Sequence, residues 1–172
     1  VGFVDVGVSG GGPAAIEGQL SLFVGGEQAD VERARPWLEA IGKSLAHLGP
    51  VGRGQEAKLI NNLISIANYG MSAAIVDVAV SMGFDRQQIV DALMAGAAQS
   101  FALRVAPGFV QPREGTGATG SIMGLHDLLK KDVEHAAELP TSEQGQLQAL
   151  LAACEAMLAR LRRAAEEFAG PA

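Results

Sequence analysis

Two textures of apolar and polar positions meet near residue 50 of this 172-residue chain. Before that point, short apolar runs of strand length are bounded by glycine or polar residues. They are Val1-Gly2-Phe3-Val4-Asp5-Val6, Leu20-Ser21-Leu22-Phe23-Val24 and Leu45-Ala46-His47-Leu48. Between the second and third, Val31, Ala34, Leu38 and Ile41 recur at helical spacing, which predicts a helix over residues 27–41. The order strand, strand, helix, strand is an α/β pattern with too few elements to cover both faces of a sheet. Residues 1–48 are therefore expected either to pack on the helices of the later chain or to form the far edge of a larger sheet.

From Gly52 the spacing is helical to the end of the chain. A first helix is predicted over residues 54–82, longer than most globular helices. Asp85-Arg86-Gln87-Gln88 and Thr141-Ser142-Glu143-Gln144 have the form of capping boxes opening two more helices, the last over residues 142–168. Residues 107–120, with two prolines and four glycines, predict a loop, and a helix over residues 121–138 is stopped by Pro140. Arg160, Arg162 and Arg163, mixed with acids, predict a solvated face.

Composition narrows the class. Hydrophobic residues make up 48% and charged residues 19%, enough for a packed core. Thirteen Lys+Arg against nineteen Asp+Glu give a net charge of -6, the wrong sign for a protein that binds nucleic acid by phosphate neutralisation. The single cysteine, Cys154, excludes an internal disulfide and a cysteine-based zinc site, and its apolar helical surroundings make it a buried hydrophobe. His47, His126 and His135 lack metal-ligand spacing, so no metal site is expected. With no uninterrupted apolar stretch of 18 residues and no signal peptide at the start, the expectation is a soluble, cytoplasmic protein with no membrane partner.

The long helix carries an unusual polar stripe. At 100° per residue, Lys58, Asn61, Asn62, Ser65, Asn68, Tyr69 and Ser72 share an arc of about 120°. Solvent-facing stripes are rich in Glu and Lys, whereas this one carries amides and hydroxyls under a single cation. Two readings stand: a seam satisfied by neighbouring helices, or a ligand cleft under Lys58 and Asn62. The pair stands at i and i+4 and reaches one spot. A lysine among apolar neighbours loses hydration of its charged form, which makes it a usable proton donor or acceptor.

Two glycine-rich segments compete as anion sites. Ser9-Gly10-Gly11-Gly12 follows the first strand and is either a plain tight loop or a nest of backbone N–H groups for a carboxylate or phosphate. Gly52-Arg53-Gly54-Gln55-Glu56-Ala57 matches the G-x-G-x-x-G/A fingerprint between a strand and a helix. That fingerprint needs a second strand about 20 residues on, ending in an acid. Residues 70–80 are still inside the long helix, so a nucleotide site is not expected there.

Taken in order, the motifs resemble the β-hydroxyacid dehydrogenase family, to which 3-hydroxyisobutyrate dehydrogenase and, more distantly, 6-phosphogluconate dehydrogenase belong. Phe3-Val4-Asp5-Val6-Gly7-Val8-Ser9-Gly10-Gly11, with Ala15, Gly18, Leu20 and Val24-Gly25-Gly26, looks like the substrate-binding segment. Gly49-Pro50-Val51-Gly52-Arg53-Gly54 through Lys58 and Asn62 looks like the catalytic G-x-x-G-x-G-x-x-x-K-x-x-x-N block. Leu128-Leu129-Lys130-Lys131-Asp132 resembles the late K-D-L segment, with Val133 in place of Leu. The resemblance covers about residues 1–137, and the aromatic expected seven residues before Lys131 is Gly124. Asp5-Val6-Gly7 leans toward the phosphogluconate branch, and Ala57-Lys58-Leu59-Ile60-Asn61-Asn62 toward the hydroxyisobutyrate branch, which is favoured.

The resemblance implies a mostly α chain: an all-helical dehydrogenase domain at residues 50–172, preceded at residues 1–49 by the last strands of a Rossmann-like NAD(P)-binding domain. It implies Lys58 as general acid/base at the substrate hydroxyl, and Asn62 as the residue that positions the substrate. Ser9, Gly10 and Gly11 would bind the substrate carboxylate, and Lys131 would lie near an NAD or NADP cofactor. Most of the nucleotide-binding half, roughly 110–120 residues of a six-strand domain, is expected to lie before Val1, so the 172 residues alone are expected to be inactive. The function implied is oxidation of a small 3-hydroxyacid by hydride transfer.

Two other functions compete. A non-catalytic helical dimerisation module is one, since family members pair through their helical domains. Here Leu59, Leu63, Ile66, Met71, Ala74 and Ile75 would face a second copy, and Gly70, Ala73 and Ala74 would admit it closely. A homodimer through the helical domain is expected under either reading. Phosphogluconate chemistry is the other, with Arg53, Arg104 and Arg113 as the only basic candidates for its phosphate.

Overall fold

The computed structural model describes residues 1–105 and 122–169; the loop expected at 107–120, and Arg113 in it, lie outside the described residues. The chain divides into two compact units, Val1–Asn61 and Asn62–Ala172, the division falling inside one long helix.

The first unit is a three-stranded sheet of order β1-β2-β3, with β1 over Val4–Ser9, β2 over Leu20–Gly26 and β3 over Gly42–His47. β1 and β2 pair antiparallel, with Val6 opposite Val24. β2 and β3 pair parallel, linked by α2 (Gln28–Glu39) as a crossover. The mixed sheet departs from the sequence reading in one respect. The Gly-Gly-Pro-Ala-Ala-Ile run, read from the sequence as part of a glycine-rich segment, forms a short helix, α1 (Gly11–Ile16), after the Ser9-Gly10 turn. Pro13 sits in its first turn, where a missing N–H costs no intrahelical bond. Gly10 and Gly11, at φ 131 and 69, take backbone conformations that side chains disfavour.

The period-2 pleat sorts the strand residues onto two faces. Leu22 and Val24 of β2 are buried against Val31 and Leu38 of α2, with Val4, Val6 and Leu45 packed around them. The opposite face of β1 carries Asp5, Gly7 and Ser9 and meets the start of α3 (Arg53–Ser81). Within the first unit α2 thus covers one face, and the start of α3 covers the other at β1, while Ser44 and Ala46 of β3 are exposed. His47 ties the loop that leads into α3: its Nε2 donates to the carbonyl oxygens of Gly26 at 2.7 Å and Gly49 at 3.2 Å.

The second unit is helical: the rest of α3, then α4 (Arg86–Met94), α5 (Phe101–Val105), α6 (Ile122–Ala136) and α7 (Gln144–Ala169). The cap expected at Asp85 is present, whereas Thr141 makes a turn before α7, which opens at Gln144 and not at residue 142. The Asp85 carboxylate accepts from Gln88 N at 2.9 Å, and Thr141 Oγ1 accepts from Glu143 N at 3.0 Å. Val76, Val90 and Leu103 join α3, α4 and α5 in one apolar cluster. α7 lies on α3: Cys154, fully buried, donates its Sγ–H to the Leu63 carbonyl at 3.3 Å. Burial pushes its thiol up to about 11, as expected of a cysteine that serves as a small hydrophobe.

Three sequence expectations change in this unit. Arg160 does not stand on a solvated face: its Nη1 donates to Asp77 Oδ2 at 2.5 Å, and Arg86 donates to the other oxygen at 2.9 Å. Burial disfavours the Asp77 carboxylate, yet the two guanidinium groups outweigh it and hold its pKa below the ordinary aspartate value. The apolar residues of α3 are also sorted differently. Leu63 and Ile66 are buried inside the chain, as is Ala73, and a Cβ on Gly70 would meet Met157 of α7 at 3.1 Å. Gly70 admits α7 and Ala73 is buried within the chain, while Ala74 is exposed. The outward apolar stripe is instead Ile60, Ile64, Met71, Ile75, Val78 and Met82, each exposed by 46% or more. Finally, α3 is long and apolar enough to cross a membrane by length and composition, with a mean hydropathy of 1.6 over its most apolar window. Of that window, 33% is buried inside the chain.

Candidate active site

The site residues of the first unit are organised by a strand and a helix running side by side. Two residues of strand advance about 6.6 Å and one helical turn about 5.4 Å, so the two repeats stay nearly in step for three rungs. At the first rung, Asp5 accepts hydrogen bonds from Gly52 N at 2.9 Å and Gly54 N at 3.1 Å. A carboxylate here satisfies N–H groups that the helix cannot pair itself and complements its positive end. At the second rung, a Cβ on Gly7 would stand 2.6 Å from the Gly54 carbonyl oxygen and 2.7 Å from Lys58 Cβ, so strand and helix touch without an intervening side chain. At the third, Asn61 Nδ2 donates to Ser9 Oγ at 3.2 Å.

This ladder brings Lys58, half-buried, alongside the exit of β1, where Ser9, Gly10 and Gly11 follow. Four of the residues singled out from the sequence, Ser9, Gly10, Gly11 and Lys58, therefore lie within one compact unit, with the Lys58 Cβ against Gly7, two residues before Ser9.

Asn62, the next residue of α3, belongs to the second unit. Its Nδ2 donates to Asp132 Oδ2 at 2.7 Å, and Asp132, 8% exposed, lies 3.7 Å by its other oxygen from Lys131 Nζ. The late K-D segment thus meets the catalytic-block asparagine through its acid. Lys131 itself is about half exposed.

The turn that mimics a dinucleotide fingerprint is explained by the same ladder. Its glycines are there because strand backbone lies against them: a Cβ on Gly54 would be 2.5 Å from the Phe23 carbonyl oxygen. Gly52 N and Gly54 N already donate to Asp5, so a pyrophosphate would have to displace a carboxylate held in the chain. Among the described residues, no pyrophosphate cradle is offered here, and Lys131 is the remaining candidate for a cofactor contact. Arg53, one of the phosphate candidates, is paired with Glu56 at 2.6 Å.

Three residues of the site escape sequence reasoning. Asp5 reads along the chain only as part of a block, although an acid inside an apolar strand, on the same face as Gly7 and Ser9, is the signal of a specific partner. Asn61 reads as one member of a stripe. Asp132 carries no role in the late segment, although an acid among the buried positions of α6 demands a donor.

Comparison with known proteins bears on the family. Residues 1–49 match the NAD binding domain of 6-phosphogluconate dehydrogenase, and residues 52–170 match the NAD-binding domain of NADP-dependent 3-hydroxyisobutyrate dehydrogenase. The NAD-dependent L-serine dehydrogenase of Pseudomonas aeruginosa is 32% identical over 138 residues, covering 78% of this chain and 46% of its own length. The mitochondrial 3-hydroxyisobutyrate dehydrogenase of Drosophila melanogaster is 32% identical over 147 residues, covering 80% of this chain and 45% of its own length. The chain thus spans less than half the length of these curated relatives. In fold it is similar to the Mycobacterium tuberculosis 3-hydroxyisobutyrate dehydrogenase solved with L-serine. The TM-score is 0.63 at 23% identity, over 93% of this chain and 60% of that one. A mostly helical chain opening on the strands of an α/β sheet, matched by both domain models in order, belongs to the β-hydroxyacid dehydrogenase family of NAD(P)-dependent oxidoreductases, in its 3-hydroxyisobutyrate dehydrogenase-like branch.

Proposed function

We propose that this chain is the C-terminal portion of an enzyme that oxidises a small 3-hydroxyacid, with Lys58 as its general acid/base. The observation that supports the reading is the ladder of β1 on α3, in which Lys58 packs against Gly7 and Asn61 bonds Ser9, just before the Gly10-Gly11 turn. The family's nicotinamide cofactor, when bound, supplies the hydride acceptor. The chain's own residues handle the proton and the carboxylate. As the C–H hydride leaves the carbinol carbon, the O–H proton passes to the Lys58 amine, and the C–O bond becomes a carbonyl. In the reverse direction the ammonium returns that proton. Ser9 and the N–H groups of Gly10 and Gly11 hold the carboxylate, Asn62 positions the substrate, and Lys131 adds a cation toward the cofactor. The serine and 3-hydroxyisobutyrate dehydrogenases among its relatives support a β-hydroxyacid as substrate.

The 172 residues by themselves would neither bind NAD(H) with micromolar affinity nor turn over a hydroxyacid, because the one fingerprint-like turn is filled by Asp5. One exposed cation, Lys131, contributes about 1 kcal/mol or less. Calorimetric titration with NADH and NADPH checks this: no saturable heat is expected, and a Kd below about 10 μM, roughly 7 kcal/mol, would overturn it.

The outward stripe of α3 supports a homodimer, since six large apolar side chains on one helical face exceed what a solvent-facing helix usually presents. Light scattering is expected to give about twice the chain mass; a value near 17.7 kDa at all micromolar concentrations would rule the dimer out.

A further inference from the structure

We infer that Asn61 is a positioning residue that turns the Ser9 hydroxyl into a hydrogen-bond donor toward a substrate carboxylate. The inference rests on the proposed carboxylate-binding role of Ser9 and deepens it. A serine hydroxyl has one proton and two acceptor sites, and by itself it rotates to suit any neighbour. Asn61 donates from Nδ2 to Ser9 Oγ at 3.2 Å. That contact fills an acceptor site on Oγ with an N–H group that cannot take the hydroxyl proton, which leaves the O–H to donate elsewhere.

The Ser9 position is fixed from three sides. It ends β1, paired with Ser21 of β2. It stands two rungs beyond Asp5, which anchors the same strand to the first turn of α3. It is followed by Gly10 and Gly11 at positive φ, which bend the chain away at once. A hydroxyl in a fixed place, with an acceptor site occupied, is a preset donor that favours an anion over a neutral alcohol, whose bond lacks charge assistance, and is a poor partner for a cation. Lys58, one turn before Asn61 on the same helix, then works next to an anchored carboxylate. In this role Asn61 acts through Ser9 and is not itself catalytic.

The test is a binding titration of the 172-residue chain, followed by NMR, with 3-hydroxyisobutyrate as the probe. The control is 2-methylpropane-1,3-diol, which has the same skeleton with the carboxylate reduced to an alcohol. Ser9→Ala is expected to weaken hydroxyisobutyrate binding about tenfold and Asn61→Ala about fivefold, one lost hydrogen bond to a charge setting the scale. The double variant should bind about as Ser9→Ala does, because Asn61 has no separate route to the ligand. Asn61→Asp, nearly identical in shape, should be worse than Asn61→Ala, since an acceptor at that place captures the hydroxyl proton and adds a like charge. Diol binding should be unmoved by any of them, which a merely structural role would not achieve. Should Asn61→Ala melt early, Asn61→Asp carries the test alone.

If Asn61→Ala leaves affinity unchanged while Ser9→Ala lowers it, or if the double variant loses about fiftyfold, the product of the two single losses, the inference falls and the carboxylate role of Ser9 stands. If Ser9→Ala has no effect, or the chain does not distinguish hydroxyisobutyrate from the diol, the Ser9 role and the inference fall together.

Discussion

Replacing Lys58 with alanine should lower kcat by about a hundred- to ten-thousandfold, the range over which positioned acid–base groups act. The measurement needs a form of the enzyme joined to a complete nucleotide-binding domain. Cofactor affinity should change little, because Lys58 stands at the β1–α3 contact against Gly7, one turn before the Asn61 that bonds Ser9 on the proposed carboxylate side. Lys58→Arg is the sharper variant. It keeps the positive charge and much of the length, but a guanidinium does not give up its proton near neutral pH. If Lys58 only held the carboxylate electrostatically, Arg would restore most of the rate. If it transfers the proton, Arg should be nearly as slow as Ala, with kcat rather than KM carrying the loss. Near-full turnover of Lys58→Ala would remove the residue from the mechanism.

Gly54→Ala should be the most damaging single-methyl change to the fold of the first unit. The added Cβ would sit 2.5 Å from the Phe23 carbonyl oxygen and 2.9 Å from the Asp5 carbonyl oxygen. Both are backbone atoms of paired strands, so neither can rotate aside, and the first turn of α3 must lift away from the sheet. Overpacking of this kind costs about 2–3 kcal/mol, roughly 5–10 °C in Tm for a chain of this size. It should also weaken the Asp5 contacts to Gly52 N and Gly54 N and carry Lys58 with the helix. Gly145→Ala makes the contrast. That glycine lies in the first turn of α7 with nothing within 4 Å of its would-be Cβ. There alanine should be neutral or stabilising by up to about 1 kcal/mol, through helix propensity and a less disordered unfolded chain. Thermal melts of the two variants decide it: equal Tm values would contradict the close approach of α3 to the sheet.

The division between what the chain announces and what the fold decides follows from the range of the interactions. Periodicity and capping are local, so the strand-and-helix order, the length of α3 and the start of α4 are legible from residue types within a few positions of each other. The family blocks are legible for the same reason, since Lys58 and Asn62 lie one helical turn apart and Ser9, Gly10 and Gly11 are contiguous. Whatever joins distant positions is not. Asp5 reaches Gly52 and Gly54 across 47 and 49 residues, and Asn61 reaches Ser9 across 52. No pattern along the chain shows that the fingerprint-like glycines face a carboxylate instead of a phosphate. The apolar face of α3 makes the same point. Composition marks the helix as largely apolar, but only packing against α7 shows that Leu63, Ile66 and Gly70 turn inward while Met71, Ile75 and Val78 turn out. Sequence alone determined the elements and the residue types suited to hydroxyacid chemistry. Tertiary structure decided which of those residues touch, because contact between elements depends on pleat and pitch meeting in register, a condition that neither element states by itself.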